Sequence, residues 1–137
     1  MKKGFTLIEL LAVIVILAII ALIATPMILG VIDTAKQGSA KSSALGYVEA
    51  VEKSIMINQV KGQAAPVAGE YTISNDGKTL TIKEGTATIT VDFKGDVPTG
   101  SVTVGANGAV SGATLTFSKI YSKAVTVAAD GTATVAS

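Results

Sequence analysis

The sequence contains no cysteine, histidine, tryptophan or arginine, and each absence narrows what the protein can do. Without cysteine there is no disulfide and no thiolate nucleophile, and without histidine the commonest general base and zinc ligand are missing. Aromatic residues are few, with three Tyr and three Phe, so stacking platforms for bases or sugars are not expected. We therefore expect no cofactor, no metal and no enzymatic activity, and an enzyme is only a remote alternative.

Charge is also sparse. The 11 basic residues are all lysines and oppose 10 acids, which gives a formal net charge of +1. Loss of Lys2 and Lys3 with a leader would leave 9 lysines against the same 10 acids, a formal charge of −1. Nucleic-acid-binding surfaces carry a marked excess of basic residues, so we expect no nucleic-acid partner.

The N-terminal part of the chain is instead strongly apolar. Over residues 5–32 the only exceptions are Thr6, Glu9, Thr25, Pro26 and Gly30. Residues 10–32 would extend about 34 Å as a helix, enough to cross a hydrocarbon core of about 30 Å. Lys2 and Lys3 precede the run, so the positive-inside rule places the N-terminus in the cytoplasm.

Two simpler interpretations of this run are a cleaved signal peptide and a plain membrane anchor. Residues 31–36 offer no small-x-small cleavage site, and the run is longer than a signal-peptide core of about 7 to 15 residues. A plain anchor leaves Glu9 unexplained, because a carboxylate near a bilayer centre costs about 2.5 to 3.5 kcal/mol, and less toward an interface. Glu9 is therefore predicted to need a cationic partner.

The sequence Met1-Lys2-Lys3-Gly4 followed by Phe5-Thr6-Leu7-Ile8-Glu9-Leu10-Leu11 resembles the N-terminus of type IV prepilins. The resemblance implies that residues 1–4 are a leader peptide, which a prepilin peptidase cuts between Gly4 and Phe5. It also implies that the new Phe5 amine is N-methylated and that residues 5–32 stay in the subunit as a transmembrane and assembly helix. Glu9 matches the family's glutamate at the fifth mature position, and Pro26 matches a proline common near the end of the run.

Electrostatics supplies a reason for this pattern. Cleavage before Phe5 would create an α-ammonium group in apolar surroundings, one helical turn from Glu9. The carboxylate of one subunit can neutralise the ammonium group of a neighbour, since either charge left unpaired in a filament core would be strongly unfavourable. Phe5 and Glu9 are therefore predicted to set the axial register of otherwise uniform apolar helices. A neutral, unpaired Glu9 is the alternative.

Pro26 lacks an amide proton, and Gly30 adds backbone freedom one turn later. Together they predict a kink or a melted turn between about residues 21 and 30. A straight helix that tolerates the missing hydrogen bond has equal weight. The resemblance implies that helical structure in this region is lost on assembly.

Residues 33–61 continue the helix in amphipathic form, with an apolar stripe at Ala40, Ala44, Val48, Val51 and Ile55. Residues 62–137 are predicted to form an antiparallel β-sheet domain, because the apolar period changes to 2 from Tyr71 onward. Strands are marked by Leu80 and Ile82; Ala87, Ile89, Val91 and Phe93; Val102 and Val104; Leu115 and Phe117; Val125 and Val127; Ala133 and Val135.

Turns are expected at Asn75-Asp76-Gly77, Glu84-Gly85, Asn107-Gly108 and Asp130-Gly131, with a longer loop over residues 95–100. The apolar face of the sheet can cover the stripe on the helix. The predicted fold class is therefore α+β, a long N-terminal α-helix packed on a C-terminal antiparallel β-sheet.

Other candidate sites have simpler explanations. Calcium ligands could be sought among Asp76, Asp92, Asp96 and Asp130, but Asp beside Gly is usual turn chemistry, and no binding-loop spacing is present. Threonine-rich strand faces could bind sugars or ice, yet exposed threonine is also the ordinary solvent face of a strand. Lys119 and Lys123 flank Tyr121 in a short basic segment that could contact DNA, although a solvated edge is the favoured interpretation.

The resemblance implies the major pilin of a type IV pilus, an extracellular filament for motility, adhesion or surface attachment. Its partners would be identical copies, a prepilin peptidase, a membrane platform and an assembly ATPase. The subunit would lie in the cytoplasmic membrane before assembly and on the cell surface afterwards. Many members of this family close a C-terminal loop with a disulfide, which this chain cannot form because it has no cysteine. In this respect the sequence is more similar to pilins of Gram-positive bacteria. The alternatives are a pseudopilin or minor pilin of a secretion or DNA-uptake system, and a membrane-tethered binding module that does not polymerise.

Overall fold

The computed structural model describes residues 3–137, which form one long helix followed by seven strands. Met1 and Lys2 of the predicted leader lie outside the described residues. The elements are α1 (Leu7–Val60), β1 (Gly69–Ile73), β2 (Thr79–Ile82), β3 (Thr88–Thr90), β4 (Thr99–Val104), β5 (Val110–Phe117), β6 (Tyr121–Ala128) and β7 (Ala133–Val135). The chain divides into two compact units, one ending at Ala35 and the other spanning Lys36–Ser137.

The first unit is the apolar part of α1. Its large apolar side chains are all at least partly exposed, and its most apolar 18-residue window has a mean hydropathy of 3.2. This part of the helix is long and apolar enough to cross a membrane. The helix continues without interruption through Pro26 and Gly30, while the Thr25 hydroxyl donates to the Ala21 carbonyl at 2.6 Å. The melting of this turn on assembly therefore remains a prediction.

The second unit contains a single antiparallel sheet with strand order β3-β2-β1-β4-β5-β6-β7. The inner strand β1 pairs with β2 and β4, so Tyr71 lies opposite both Ile82 and Val102. The strands at the two edges, β3 and β7, have only three residues each. Short edge strands offer little backbone for unwanted pairing with other chains.

The core of this unit lies between the sheet and residues 40–55 of α1. Ala40, Ala44, Tyr47, Val51 and Ile55 are buried on the helix, and they cover the alternating apolar residues of the strands. The predicted α+β arrangement is thus confirmed. Val48, predicted to be in the stripe, is only half-buried but packs against the core, and its neighbour Tyr47 is fully buried. The Tyr47 hydroxyl reaches past the helix and donates to the Gly77 carbonyl at 2.9 Å.

Two local predictions were wrong. The strand expected from Ala87 to Phe93 ends at Thr90, because its partner β2 begins at Thr79, which lies opposite Thr90. Phe93 still faces the helix, where its ring lies edge-on to that of Tyr47 with centroids 5.3 Å apart. The loop expected over residues 95–100 ends earlier, because Thr99 and Gly100 already pair in β4. At Gly100 a Cβ would lie 2.0 Å from the Thr114 carbonyl oxygen, so the two backbones approach more closely than a side chain permits.

The sheet face away from the helix is polar. One hydroxyl-bearing residue from each strand lies in a continuous row across the sheet, formed by Thr88, Thr81, Thr72, Ser101, Thr114, Thr126 and Thr134. All seven are exposed or half-exposed. This alternation leaves the apolar side chains of every strand for the face that packs on α1.

Candidate assembly site at the helix N-terminus

Helix α1 begins with a reciprocal pair of hydrogen bonds between Thr6 and Glu9. The Thr6 amide donates to Glu9 Oε2 at 2.8 Å, and the Glu9 amide donates to Thr6 Oγ1 at 3.3 Å. This is a capping box, in which the side chains at the N-cap and at the third helical position satisfy amides that have no partner within the helix. Glu9 is thus held by its own chain at the start of the apolar helix.

Thr6, the capping partner of Glu9, was not among the residues predicted for this site. Its place in the sequence did carry a signal, since a threonine followed three residues later by glutamate, just before an apolar run, is the capping-box pattern. The pattern means that the carboxylate has hydrogen-bond donors before any partner arrives. The cost of placing Glu9 in the membrane is reduced accordingly.

Phe5 and Glu9 lie on the same surface groove, together with Leu10, Ala12 and Val13. The groove is almost wholly apolar, and the Phe5 side chain is 91 % exposed. The one acidic side chain of this part of the helix therefore lies beside the residue whose amine would be released by cleavage after Gly4. An apolar groove with a single carboxylate fits an apolar partner that carries one positive charge.

The aspartates considered for calcium lie on separate turns and loops. The Asp76 carboxylate accepts hydrogen bonds from the Ser74 hydroxyl and the Lys78 amide, and Asp130 accepts from the Thr132 amide and hydroxyl. These donors hold the pKa of both carboxyl groups below the usual value. Within residues 3–137 no three potential ligands of the His, Cys, Asp and Glu types cluster for a metal ion.

The basic segment lies at the hairpin between β5 and β6. Lys119 is in the turn, while Tyr121 and Lys123 belong to β6, whose pairing with β7 covers only Val125 to Val127. On that side the start of β6 is therefore a local edge of the sheet, which agrees with a solvated lysine there.

Comparison with known proteins identifies the N-terminus. Residues 1–25 match the family described as the prokaryotic N-terminal methylation motif, the type IV pilin-like leader. No curated protein and no solved structure matches the chain. The resemblance predicted from Gly4, Phe5 and Glu9 is confirmed for the N-terminus: residues 1–25 carry the type IV pilin-like leader motif, and the apolar helix fits it. The motif supports a type IV pilin-like or pseudopilin protein. The motif implies processing by a prepilin peptidase and assembly in a pilus-like system, and the helix suggests membrane anchoring.

Proposed function

We propose that this protein is the major structural subunit of a type IV pilus, and that it polymerises through residues 5–32 into a surface filament for adhesion or motility. The observation that carries the proposal is a Glu9 carboxyl group held in a capping box at the start of an otherwise apolar and exposed helix. Proteins with this motif are generally structural. The function lies in the polymer, whose sheet domains present the surface that the surroundings meet.

The exposed apolar helix must be shielded from water both before and after the subunit assembles. Before assembly the lipid acyl chains solvate it, as its length allows. In the filament identical helices replace the lipid, and apolar surface remains buried. Because one apolar environment is exchanged for another, the gain that selects the filament must come from packing and polar pairing.

The pairing partner is the amine of Phe5 in a neighbouring subunit, released by cleavage after Gly4. The capping box holds Glu9 in place until this ammonium group arrives, and the carboxylate has a second oxygen with which to accept it. A fully desolvated charge whose partner is removed costs about 3 to 5 kcal/mol. Loss of the pair would therefore remove the register between helices while leaving each subunit in the membrane.

The test is filament yield from cells that express the chain with the prepilin peptidase, platform and ATPase. Glu9→Gln keeps a capping acceptor and removes the charge, while Glu9→Ala removes both. We expect both variants to be inserted and cleaved, and the yield of sheared filaments to fall by at least about tenfold, as a cost of a few kcal/mol implies. Glu49→Ala, on the exposed part of the helix in the second unit, is the control and should assemble normally.

The readouts separate processing from assembly. A bulky residue at Gly4 should leave an uncleaved precursor, visible by its mass, whereas the Glu9 variants should show the mature N-terminus at Phe5. Normal filaments from Glu9→Gln would contradict the charge pairing. If the unaltered chain is cleaved and stays in the membrane without any filament, the binding-module alternative takes the place of the proposal; short, sparse fibres would favour a pseudopilin or minor pilin.

A further inference from the structure

The antiparallel topology sorts the turns of the second unit to two opposite ends. One end has the β1–β2 turn, the β5–β6 turn and the loop over residues 91–98; the other has the β2–β3, β4–β5 and β6–β7 turns. Helix α1 runs from the first end to the second. Tyr47 bonds the Gly77 carbonyl at the first end, and at the second a Cβ on Gly108 would lie 2.9 Å from Ile55 Cγ2.

The first end is rich in lysine, and we name it the lysine end. It carries four exposed lysines and three aspartates, namely Lys78, Lys94, Lys119, Lys123, Asp76, Asp92 and Asp96. The Val91 amide donates to the Lys78 carbonyl at 2.7 Å, and Lys119 Nζ lies 3.6 Å from Asp96 Oδ1, so the turns and the loop are neighbours. Within residues 3–137, Lys94 and Lys123 take part in no ion pair.

The second end has the opposite balance, and we name it the acidic end. It carries four acids and two lysines, namely Glu52, Glu70, Glu84, Asp130, Lys61 and Lys83. Glu70 is neutralised by Lys83 at 2.7 Å, and this contact holds its pKa below the usual value. Glu84 is exposed on the β2–β3 turn and, among the described residues, forms no ion pair.

The flank between the two ends is nearly balanced. Glu49 and Lys53 line one groove along α1 there, together with Asp92 of the lysine end. The charge of the unit is therefore separated along the direction of the helix. Both ends also leave apolar side chains exposed: Val97 at the lysine end, and Val60 and Val67 beside the acidic end, of which Val60 is 88 % exposed.

We propose that the lysine end of one copy docks on the acidic end of the next copy along the filament. This inference depends on the proposed function. In a polar filament every copy points the same way, so contacts between successive copies are heterologous and join unlike ends. Opposite charge at the two ends suits that geometry, whereas equal charge would oppose it, and the exposed valines supply apolar area to be covered.

Such a contact contributes specificity and association rate more than affinity. Exposed charges attract one another only over about a Debye length, roughly 8 Å at physiological salt, so the contact must be close and sensitive to salt. Two contacts would then fix the axial position of each copy relative to its neighbours in the filament. Glu9 would do so between the apolar helices, and the charged ends would do so between the sheet domains. Anionic lipid headgroups could also attract the lysine end, and the experiment separates the two.

The test uses the full chain in assembling cells, with charge reversals at the two exposed residues that have no ion pair. Lys94→Glu and Glu84→Lys should each lower the filament yield by about tenfold at low salt, because like charges across a contact are unfavourable. The double variant, Lys94→Glu with Glu84→Lys, should recover most of the yield. Matched controls on the flank are Lys53→Glu and Glu49→Lys, which change the net charge equally and should assemble normally.

Each outcome of this experiment either supports or overturns the proposed contact between the two ends. Loss in both single variants with recovery in the double supports the contact, and normal yield in either single variant overturns it. If only Lys94→Glu fails, and the subunit also binds anionic vesicles less well, the lysine end contacts lipid and the proposal is wrong. Absence of filaments from the unaltered chain would instead refute the proposed function, and this contact with it.

Discussion

Tyr47 joins helix α1 to the sheet through one buried hydroxyl. Its side chain has no exposed surface, its ring packs edge-on to Phe93, and its hydroxyl donates to the Gly77 carbonyl. Burial raises the pKa of this phenol, and nearby Asp76 raises it further. Tyr47 therefore combines a large apolar contact with a hydrogen bond in a place where water cannot substitute for either.

Tyr47→Phe removes only the hydroxyl and leaves the Gly77 carbonyl without its donor. We expect a loss of about 1 kcal/mol, or roughly 4 to 8 °C in Tm for a domain of this size. Thermal unfolding of the detergent-solubilised chain, followed by circular dichroism, measures it. Tyr121→Phe is the control, because Tyr121 is only partly buried and, among the described residues, its hydroxyl forms no hydrogen bond. Equal Tm values for the two variants would refute this role.

The unaltered chain and Tyr47→Phe should also differ in how their stability depends on pH. A phenol whose pKa is raised in the folded state stabilises the fold fully below its unfolded pKa of about 10, and this contribution declines as pH rises beyond that value. The unaltered chain should therefore lose more stability than Tyr47→Phe between about pH 10 and 12. Parallel alkaline curves would show that Tyr47 ionises as freely in the fold as in the unfolded chain.

At the scale of elements, the strands and turns were largely predictable from alternation and turn residues, and the exceptions have physical causes. A spacing rule selects Val48, which is half-buried against the core, but not the fully buried Tyr47, since the position of the sheet relative to the helix depends on pairing that is distant in sequence. Alternation predicts a strand through Phe93, but β2 begins at Thr79 and pairs no residue beyond Thr90, although Phe93 keeps the predicted side and packs on the core. Gly100 resembles a loop residue, although the close approach of β5 requires it within a strand.

The turn between β1 and β2 depends on Gly77. Its φ is +64°, and a Cβ there would lie 1.4 Å from Val97 Cγ1. Gly77→Ala adds a left-handed conformational cost of about 1 to 2 kcal/mol to a clash that must displace Val97. Gly131→Ala is a matched control, since its φ is +83° but the added Cβ would meet open space. We expect Gly77→Ala to lower Tm by clearly more than Gly131→Ala, and equal shifts would show that Val97 moves aside freely.

At the scale of the whole molecule, the leader and Glu9 could be read from the first residues, because a processing motif is local in sequence. The charge separation between the two ends could not, since Lys119 and Asp96 come together only after the sheet has formed, as do Glu70 and Lys83. The composition is nearly neutral overall, which conceals two ends of opposite sign. The sequence therefore predicts the apolar helix, its leader motif and the sheet that packs on α1, but not the distribution of charge between the two ends of the sheet domain.

The division into two units predicts that they can be separated. Every buried core residue of the described chain lies between Ala40 and Val127, within the second unit. About 100 residues suffice for an independent domain. A chain of residues 36–137 should therefore be soluble and monomeric and should unfold in one cooperative thermal transition, because it keeps the whole core and loses only exposed apolar surface.

The full chain, in the same cells, should instead sediment with membranes and require detergent for extraction, because its first unit exposes an apolar surface that water solvates poorly. Size-exclusion chromatography and membrane fractionation measure the two behaviours. Replacing two apolar residues of the run, Leu17→Lys and Ile20→Lys, should release part of the full chain from the membrane, which ties retention to that segment. An aggregated or unfolded 36–137 chain would mean that the sheet domain relies on the apolar helix for its own stability, and the two-unit description would then be wrong.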